Sequence, residues 1–351
     1  MSRLKFVLLM VAVVVALVTF DLAPFAGIQA KVAYPDRYIL PGNAVFPEGI
    51  AYQPRTGDFF VSSTTDGTIF RGNVREKLAR VFLPGGSDRR TTAIGLNVDD
   101  YEGRLFVAGG NTGKIFVYDT DSGKLLSKFN NQKASTFIND VAISRTGDAY
   151  FTDSYNPILY KVSSNEAGEF SFEAWLDLTG TPVVYQSGFN LNGIAITDEG
   201  KYLIVVQSNS GKLFRIDIAS KQVTEIDLGG AKLTNGDGIL LRRQTLYVVR
   251  NQQELIVKVE LARDFFHGTV VSSITDPSFA YPTTIAQARD RLLVVNSQFD
   301  KRGAGVKPEL PFTVSSVPVP LEASTRPQRE DTQLGDYRGY RSDVLQYPTA
   351  Y

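Results

Sequence analysis

A short phrase recurs six times along this chain, and its spacing restricts the fold more than any other feature. The copies occupy residues 47–52, 93–98, 138–143, 191–196, 236–241 and 282–287. Equivalent positions in successive copies lie 46, 45, 53, 45 and 46 residues apart. A period of this size is typical of propeller blades or of helical arrays, so the repeat predicts a fold assembled from similar units.

The segments between the phrases carry turn signals followed by short apolar stretches. Residues 56–58 read Thr-Gly-Asp before the apolar run 59–62, and residues 198–200 read Asp-Glu-Gly before the run 202–206. Such spacing is typical of antiparallel strands joined by hairpins, and no segment after the N-terminal region has a convincing helical periodicity. The sequence therefore predicts an all-β fold, a six-bladed β-propeller over residues 36–319.

The ends of the predicted propeller are also readable. A propeller closes on itself when a segment from one end pairs with the last blade, and residues 37–40 are the expected closing strand. The tail, residues 320–351, contains several prolines and many polar residues without strand alternation. We expect this tail to be an irregular surface segment.

The N-terminus has the composition of a secretory signal. Two basic residues precede a run over residues 6–20 that is apolar apart from Thr19, and small residues follow around Ala26 and Ala30. These features predict a signal peptide over residues 1–30. An uncleaved membrane anchor is the alternative, but the run is shorter than the about 20 residues that a span needs. We therefore favour a secreted or periplasmic protein over a membrane-anchored one.

Charge and cysteine content exclude several classes of partner. Lys and Arg total 37 and Asp and Glu total 37, which leaves no net charge to attract nucleic acid or an anionic membrane. The chain has no cysteine and one histidine, His267, so a metal would have to be held mainly by oxygen ligands. Hard oxygen ligands favour calcium or magnesium. We expect a monomer that binds a small ligand, with no nucleic-acid partner and no membrane contact beyond the N-terminal segment.

One position of the repeat carries polar side chains towards the predicted axis. The first strand of each blade lines the central channel, so equivalent positions of the six phrases form a ring. The position before the phrase glycine holds, in chain order, Glu48, Ile94, Asn139, Asn192, Asp237 and Thr283. Four of these six residues are carboxylates or carboxamides, where a purely structural repeat would place apolar or small side chains.

Two buried carboxylates raise each other's pKa, and a divalent cation would remove the cost of placing them together. The sequence therefore predicts one cation site, calcium in the first place and another divalent metal as the alternative. Its predicted ligands are Glu48, Asn139, Asn192 and Asp237, completed by water or substrate. A single Asn or Asp more often bonds local backbone, but four in one register favour the metal.

The same residues carry a family resemblance. With Pro47-Glu48-Gly49, Asn139-Asp140, Asn192-Gly193 and Asp237-Gly238 in this order, residues 36–305 resemble the senescence-marker-protein/gluconolactonase/luciferin-regenerating-enzyme family and its relatives diisopropylfluorophosphatase and paraoxonase. The resemblance implies that these four side chains ligate a catalytic calcium. It also implies a hydrolase of lactones or, in relatives, of organophosphates and aryl esters.

We accordingly predict a calcium-dependent hydrolase of a lactone or related ester, with Asp237 as nucleophile or general base. Asp140 and Thr283 are expected to contact the substrate or to support the ligands. A lone His267 excludes the histidine pair of paraoxonases. The predicted specificity loops around Tyr155 and residues 183–186 and 297–299 are aromatic and weakly charged, which favours an apolar lactone over a sugar lactone. The alternative is a non-enzymatic binding propeller with a structural cation.

Overall fold

Glycine turns and β-branched or aromatic runs fold this chain into short antiparallel strands. The computed structural model describes residues 34–303 and 305–319. Apart from three short 3-10 turns, these two ranges contain no helix, and thus none that is long and apolar enough to cross a membrane. The predicted signal peptide, residues 1–30, and the predicted tail, residues 320–351, lie outside the described residues.

The strands form six four-stranded sheets, which confirms the predicted all-β, six-bladed propeller. Blade 1 contains β2 (Pro47–Gln53), β3 (Asp58–Ser63), β4 (Ile69–Asn73) and β5 (Arg80–Leu83). Blade 2 contains β6 (Leu96–Asp99), β7 (Arg104–Ala108), β8 (Lys114–Asp119) and β9 (Leu125–Asn130). Blade 3 contains β10 (Ile138–Ile143), β11 (Ala149–Asp153), β12 (Ile158–Ser164) and β13 (Phe170–Asp177).

The second half of the ring repeats this order. Blade 4 contains β14 (Leu191–Ile196), β15 (Tyr202–Gln207), β16 (Lys212–Asp217) and β17 (Val223–Ile226). Blade 5 contains β18 (Gly236–Arg242), β19 (Thr245–Arg250), β20 (Leu255–Leu261) and β21 (Gly268–Ile274). Blade 6 contains β22 (Pro282–Ala288), β23 (Arg291–Asn296), β24 (Phe312–Pro318) and, from the N-terminal side, β1 (Arg37–Leu40).

Strand β1 closes the ring as predicted. It pairs antiparallel with β24, and Tyr38 stands opposite Val314. The Tyr38 ring is buried beside Phe59 of blade 1, with ring centres 4.8 Å apart, and its hydroxyl donates to the Val74 carbonyl at 2.9 Å. Strand β1 is therefore hydrogen-bonded into blade 6 while its side chain packs on blade 1, so one strand joins the first and last blades.

The hydrophobic core lies between the faces of neighbouring blades. One buried cluster joins blades 3 and 4 through Tyr150, Trp175, Leu191 and Phe214, and four further clusters continue this packing. Burying apolar surface contributes about 25 cal/mol per Å², so each blade is stabilised by its neighbours. This packing fixes the inner strands relative to one another and thereby sets the positions of the six phrases.

The inner strands approach one another so closely that the phrase glycines have no room for a side chain. A Cβ placed on Gly49 would lie 2.5 Å from the Ile94 carbonyl oxygen of the next blade. A Cβ on Gly193 would overlap the Asp237 carbonyl oxygen and lie 2.8 Å from the Ile239 nitrogen. These contacts are with backbone atoms, so they cannot be relieved by moving a side chain. Glycine is required here by the close contact between blades.

Gly193→Ala is therefore expected to lower the free energy of unfolding by about 2 kcal/mol, because the added methyl group must displace the backbone of blade 5. Gly303→Ala is the matched control, since a Cβ at Gly303 would meet nothing within 4 Å. Urea unfolding followed by circular dichroism measures both variants. Equal stabilities for the two variants would contradict the assigned contact between blades 4 and 5.

Candidate functional site

An irregularity in strand pairing directs the predicted ligand residues. In five of the six blades, the register between the inner strand and its neighbour shifts within the phrase, as between Pro47 and Ile50 in blade 1. Such a β-bulge inserts unpaired residues and changes the direction of their side chains. The four candidate ligands each lie inside one of these shifts: Glu48, Asn139, Asn192 and Asp237.

These four side chains line one cavity of about 740 Å³. Each retains between 3% and 7% of its accessible surface, so their polar atoms are largely withdrawn from bulk water. Ile94, which precedes β6 in blade 2, lines the same cavity. The structure thus brings together the four predicted ligand positions, contributed by blades 1, 3, 4 and 5.

The Asn139 side chain is oriented by blade 3 itself. Its Nδ2 donates to Ser154 Oγ at 2.8 Å, and the Ser154 hydroxyl donates in turn to the Leu191 carbonyl at 2.7 Å. Because the amide nitrogen is held by Ser154, the amide oxygen is the atom left to bind a ligand. Asn139 Oδ1 is buried and has no hydrogen-bond partner among the described residues.

Two amide side chains lie beside Asp237. Asn251 Nδ2 donates to Asp237 Oδ2 at 2.9 Å, and the Asn192 amide lies close enough to lower the pKa of this carboxyl. An amide that donates its nitrogen to a carboxylate keeps its own carbonyl oxygen available as an acceptor. Asn192 can therefore support Asp237 and still offer an oxygen to a cation.

Glu48 has a buried oxygen that the described residues leave without a hydrogen-bond partner, Oε2. Together with Asn139 Oδ1 it forms a pair of buried acceptors, and a buried polar atom without a partner is costly and unusual. A carboxylate oxygen and an amide oxygen accept hydrogen bonds or bind hard cations. With Asp237 and Asn192 beside them, these atoms fit a divalent cation with oxygen ligands such as calcium.

The candidate ligands Glu48, Asn139, Asn192 and Asp237 form the floor of the cavity. At this floor, two ionised carboxylates without a counter-charge are unfavourable. Burial raises the pKa of Glu48 well above its ordinary value, and the neighbouring Asp237 and Asp140 carboxylates raise it further. Burial also raises the pKa of Asp237 to about 7, although the amides of Asn251 and Asn192 oppose this shift. A bound cation would reverse both shifts, because it stabilises the ionised carboxylates.

Asp140 and Thr283 lie near the candidate ligands but are not among the residues that line the cavity. Asp140 Oδ2 accepts the Ile194 backbone N–H at 3.2 Å, and burial raises the pKa of this carboxyl to about 7. The Thr283 hydroxyl donates to the Glu48 carbonyl oxygen at 2.8 Å. Thr283 therefore positions the backbone of Glu48, while Asp140 adds negative charge beside the site.

The single histidine lies away from this cavity. The His267 side chain is 69% exposed, and its Nδ1 is 3.9 Å from Asp227 Oδ2. Within the described part of the chain, no three His, Cys, Asp or Glu side chains gather in a way that could hold a metal. The candidate site consequently depends on the amide oxygens of Asn139 and Asn192 as much as on its carboxylates.

Comparison with known proteins assigns the chain to a family. The model of the SMP-30/Gluconolactonase/LRE-like region matches residues 46–241, more than half of the chain. The chain belongs to the SMP-30/gluconolactonase/LRE-like family. The matched segment runs from the start of blade 1 into β18, so it contains the four candidate ligand positions.

Individual members and structural neighbours are distant. Lactonase drp35 of Staphylococcus saprophyticus is 27% identical over 188 residues, which are 52% of this chain and 55% of that protein. The chain thus spans about half the length of the curated relatives it matches. The allergen Mala s 1 of Malassezia sympodialis superposes with a TM-score of 0.60 at 14% identity, over 81% of this chain and 96% of that one. Regucalcin of Agrobacterium tumefaciens, a calcium-binding protein, gives 0.58 at 14% identity, over 82% and 96%. At these identities the solved structures show the shared propeller fold.

The residues that sequence reasoning missed belong to a second register of the repeat. In five blades a polar residue directly follows the second strand: Thr64, Ser154, Ser208, Asn251 and Ser297. Ser154 and Asn251, which bond Asn139 and Asp237, belong to this set. An alignment of the strand ends, made in the same way as that of the phrases, would have found them.

Calcium is expected to raise the melting temperature of the purified protein, because at about 100 times its Kd a ligand adds about 2.7 kcal/mol of stability. Glu48→Gln should lose most of this increase, since the amide removes a charged ligand. The metal-free variant should unfold at or above the wild-type temperature, because the substitution also removes a buried charge. Differential scanning calorimetry with and without calcium measures both effects.

Glu166→Gln is the control for this experiment, because Glu166 is an exposed carboxylate that does not line the cavity. It should keep the full calcium response. A Glu48→Gln protein that responds to calcium like the wild type would remove Glu48 from the set of ligands.

Proposed function

We propose that this chain is a hydrolase of lactones or related esters that requires a divalent cation, with calcium in the first place. The observation that carries the proposal is the pair of buried acceptors, Glu48 Oε2 and Asn139 Oδ1, in the lining of a 740 Å³ cavity. The lactonase activity named for drp35 and the calcium binding named for regucalcin support the same assignment.

The cation would be held by Glu48, Asn139, Asn192 and Asp237. When bound, a cation of this kind polarises a carbonyl group and stabilises the negative charge that develops on its oxygen. The protein supplies the orientation of the ligands, since Ser154 fixes the Asn139 amide and Asn251 fixes the Asp237 carboxylate. Preorganised ligands of this type need little rearrangement when the substrate arrives.

Asp237 is the proposed reacting carboxylate. As a general base it would take a proton from the water that attacks the carbonyl carbon; as a nucleophile it would itself form the bond to that carbon while the ring C–O bond breaks. In either course the departing alkoxide takes up a proton and becomes the hydroxyl of the product. In the nucleophilic course a water molecule then cleaves the anhydride formed on Asp237, which releases the carboxylate product and restores the Asp237 carboxylate. The hydrogen bond from Asn251 holds Oδ2 and so limits rotation of the carboxylate.

The cavity walls favour a moderately apolar substrate. Phe137, Phe189, Tyr281 and Phe299 line the cavity, and Phe299 comes from one of the aromatic loops noted in the sequence. Aromatic faces bind alkyl or aryl groups with little need for hydrogen bonds. We therefore propose an alkyl- or aryl-substituted lactone or ester in preference to a polyhydroxylated sugar lactone.

The proposed site of action is outside the cytoplasm. Residues 1–30 have the composition of a secretory signal, which would place the mature chain in the periplasm or medium. Such compartments offer calcium at the millimolar levels that weak extracellular sites use. A four-ligand site with two neutral amides is suited to that concentration range.

The direct test is hydrolysis of γ- and δ-lactones and of phenyl acetate by the purified protein with calcium, after chelation, and with Asp237→Asn. Chelation and the substitution should each lower kcat/KM by at least about 100-fold, because each removes a group that acts on the reacting carbonyl. Glu166→Gln should retain wild-type turnover. Absence of turnover of every lactone and ester, with calcium still raising the melting temperature, would favour the non-enzymatic binding propeller.

Asn251→Ala is expected to lower kcat by about tenfold or more, because supporting partners of a metal ligand typically contribute 10–100-fold. KM should change less, since Asn251 is proposed to orient Asp237 and not the substrate. The calcium-induced rise in melting temperature should persist. Asn165→Ala, at an exposed turn of blade 3, is the control. A kcat equal to that of the wild type would refute the positioning role of Asn251.

A further inference from the structure

Three charged side chains line the cavity, and one of them has no part in the proposed chemistry. Glu48 and Asp237 belong to the candidate cation site, whereas Arg302 lies in the connection between β23 and β24. Arg302 follows the 3-10 turn Phe299–Lys301, whose first residue also lines the cavity. The Arg302 guanidinium is therefore a positive charge in the cavity lining that can bind an anionic group of a ligand.

The contacts of Arg302 leave its charge unpaired. Its Nη1 donates to the neutral Thr64 hydroxyl at 2.9 Å, and its guanidinium carbon lies 5.3 Å from the Phe46 ring centre and 5.8 Å from that of Phe299. Among the described residues it forms no ion pair. The Arg302 residue as a whole is exposed, and the desolvation of part of its guanidinium lowers its pKa, because loss of water contact disfavours the charged form.

Three other arginines of this propeller have structural roles. Arg71 pairs with Asp58, and Arg291 pairs with Asp36. Arg90 is fully buried and donates to backbone carbonyl groups between blades 1 and 2. Arg302 differs from these residues because its free N–H groups adjoin the cavity. Two aromatic rings, Phe46 and Phe299, also lie within 6 Å of its guanidinium, and a planar guanidinium is well matched to a carboxylate.

The wall across the ring from Arg302 is aromatic. Phe137, Tyr155 and Phe189 pack against one another with ring centres 5.1 to 5.7 Å apart, and Phe137 and Phe189 line the cavity. These residues lie beside blades 3 and 4, while Arg302 reaches from blade 6 to Thr64 of blade 1. In a six-bladed ring, blades 3 and 4 lie opposite blades 6 and 1. The cavity therefore has aromatic side chains on both sides, and the Arg302 guanidinium lies on one of them, beside Phe299.

The charges of the lining residues also favour a ligand with a negative charge. A divalent cation would balance Glu48 and Asp237, so that Arg302 would remain as the net positive charge among the lining residues. A ligand with one negative charge would pair with Arg302, whereas the buried Asp140 carboxyl lies beside Glu48 and outside the lining.

We propose that Arg302 binds a carboxylate group of the substrate, and that the substrate is a lactone or ester with a free carboxylate at one end. This inference rests on the proposed hydrolase function and adds a substrate class to it. An apolar segment of the same molecule would pack against Phe137 and Phe189 while the reacting carbonyl lies over the cavity floor. Arg302 acts in substrate binding and not in bond cleavage.

The test uses a matched pair of substrates: a γ-lactone whose six-carbon side chain ends in a carboxylate, and the same lactone with a primary amide at that end. The wild type should hydrolyse the carboxylate with a kcat/KM about five- to tenfold higher. Arg302→Met should raise KM for the carboxylate by about that factor with kcat within twofold, and should leave the amide unchanged. Arg302→Gln, which can still bond Thr64, should behave like Arg302→Met.

Lys301→Met is the matched control, because it removes a neighbouring positive charge that pairs with Glu309 and does not line the cavity. This variant should keep the preference for the carboxylate. Equal kcat/KM values for the two lactones in the wild type would overturn the proposal. So would a loss of activity in Arg302→Gln that is the same for both lactones, since that result assigns Arg302 a structural role.

A binding measurement separates this inference from the proposed function. Heptanoate and heptanamide are titrated into the wild type and the Arg302 variants by calorimetry, with no turnover required. If the wild type hydrolyses neither lactone, the hydrolase proposal fails; tighter binding of heptanoate by the wild type than by Arg302→Met would still support the carboxylate site. Equal heptanoate affinities in these two proteins would overturn the site, whether or not lactones are hydrolysed.

Discussion

Two carboxylates buried in one cavity are the constraint on which the rest of this site depends. Removing a carboxylate from water costs several kcal/mol even after the protein relaxes, and Glu48 and Asp237 also repel one another. The amides of Asn251 and Asn192 offset part of this cost at Asp237. Glu48 Oε2 receives no such help within the described residues. The floor is therefore stable with protons or with a cation, and its ionisation is coupled to what it binds.

The propeller tolerates these two buried carboxylates because close contacts between the inner strands hold the backbone that carries them. Gly49 and Gly193 let the inner strands touch, and the resulting backbone contacts leave the bulged residues little freedom to withdraw. The register shifts then direct Glu48 and Asp237 into the cavity without breaking the strands that carry them. Packing between the blades supplies the stability, while the phrases supply the polar atoms.

The fold and the six equivalent phrase positions around the axis could be predicted from the sequence, because both follow from the repeat of the phrase. Residues that recur every 45 or so positions must occupy equivalent places in a closed array. Periodicity does not determine what a side chain bonds, so the turn of the Thr283 hydroxyl towards the Glu48 backbone could not be predicted. Arg302 could not be predicted either, since it lies in the connection between β23 and β24, residues 297–311, which is much longer than the equivalent connection in each other blade. Asn251 differs from both, because its position is periodic and was overlooked.

The junction between blades 6 and 1 connects the closure of the fold to the site. Three contacts cross it: β1 packs Tyr38 on Phe59, Thr283 bonds the Glu48 backbone, and Arg302 bonds Thr64. One of these contacts closes the ring, one positions a candidate cation ligand, and one orients the cavity's unpaired cation. Because the candidate ligands come from blades 1, 3, 4 and 5, a bound cation would in turn link blades on both sides of the ring. Ring closure and ligand binding should consequently stabilise one another, since each holds Glu48 in the position that the other requires.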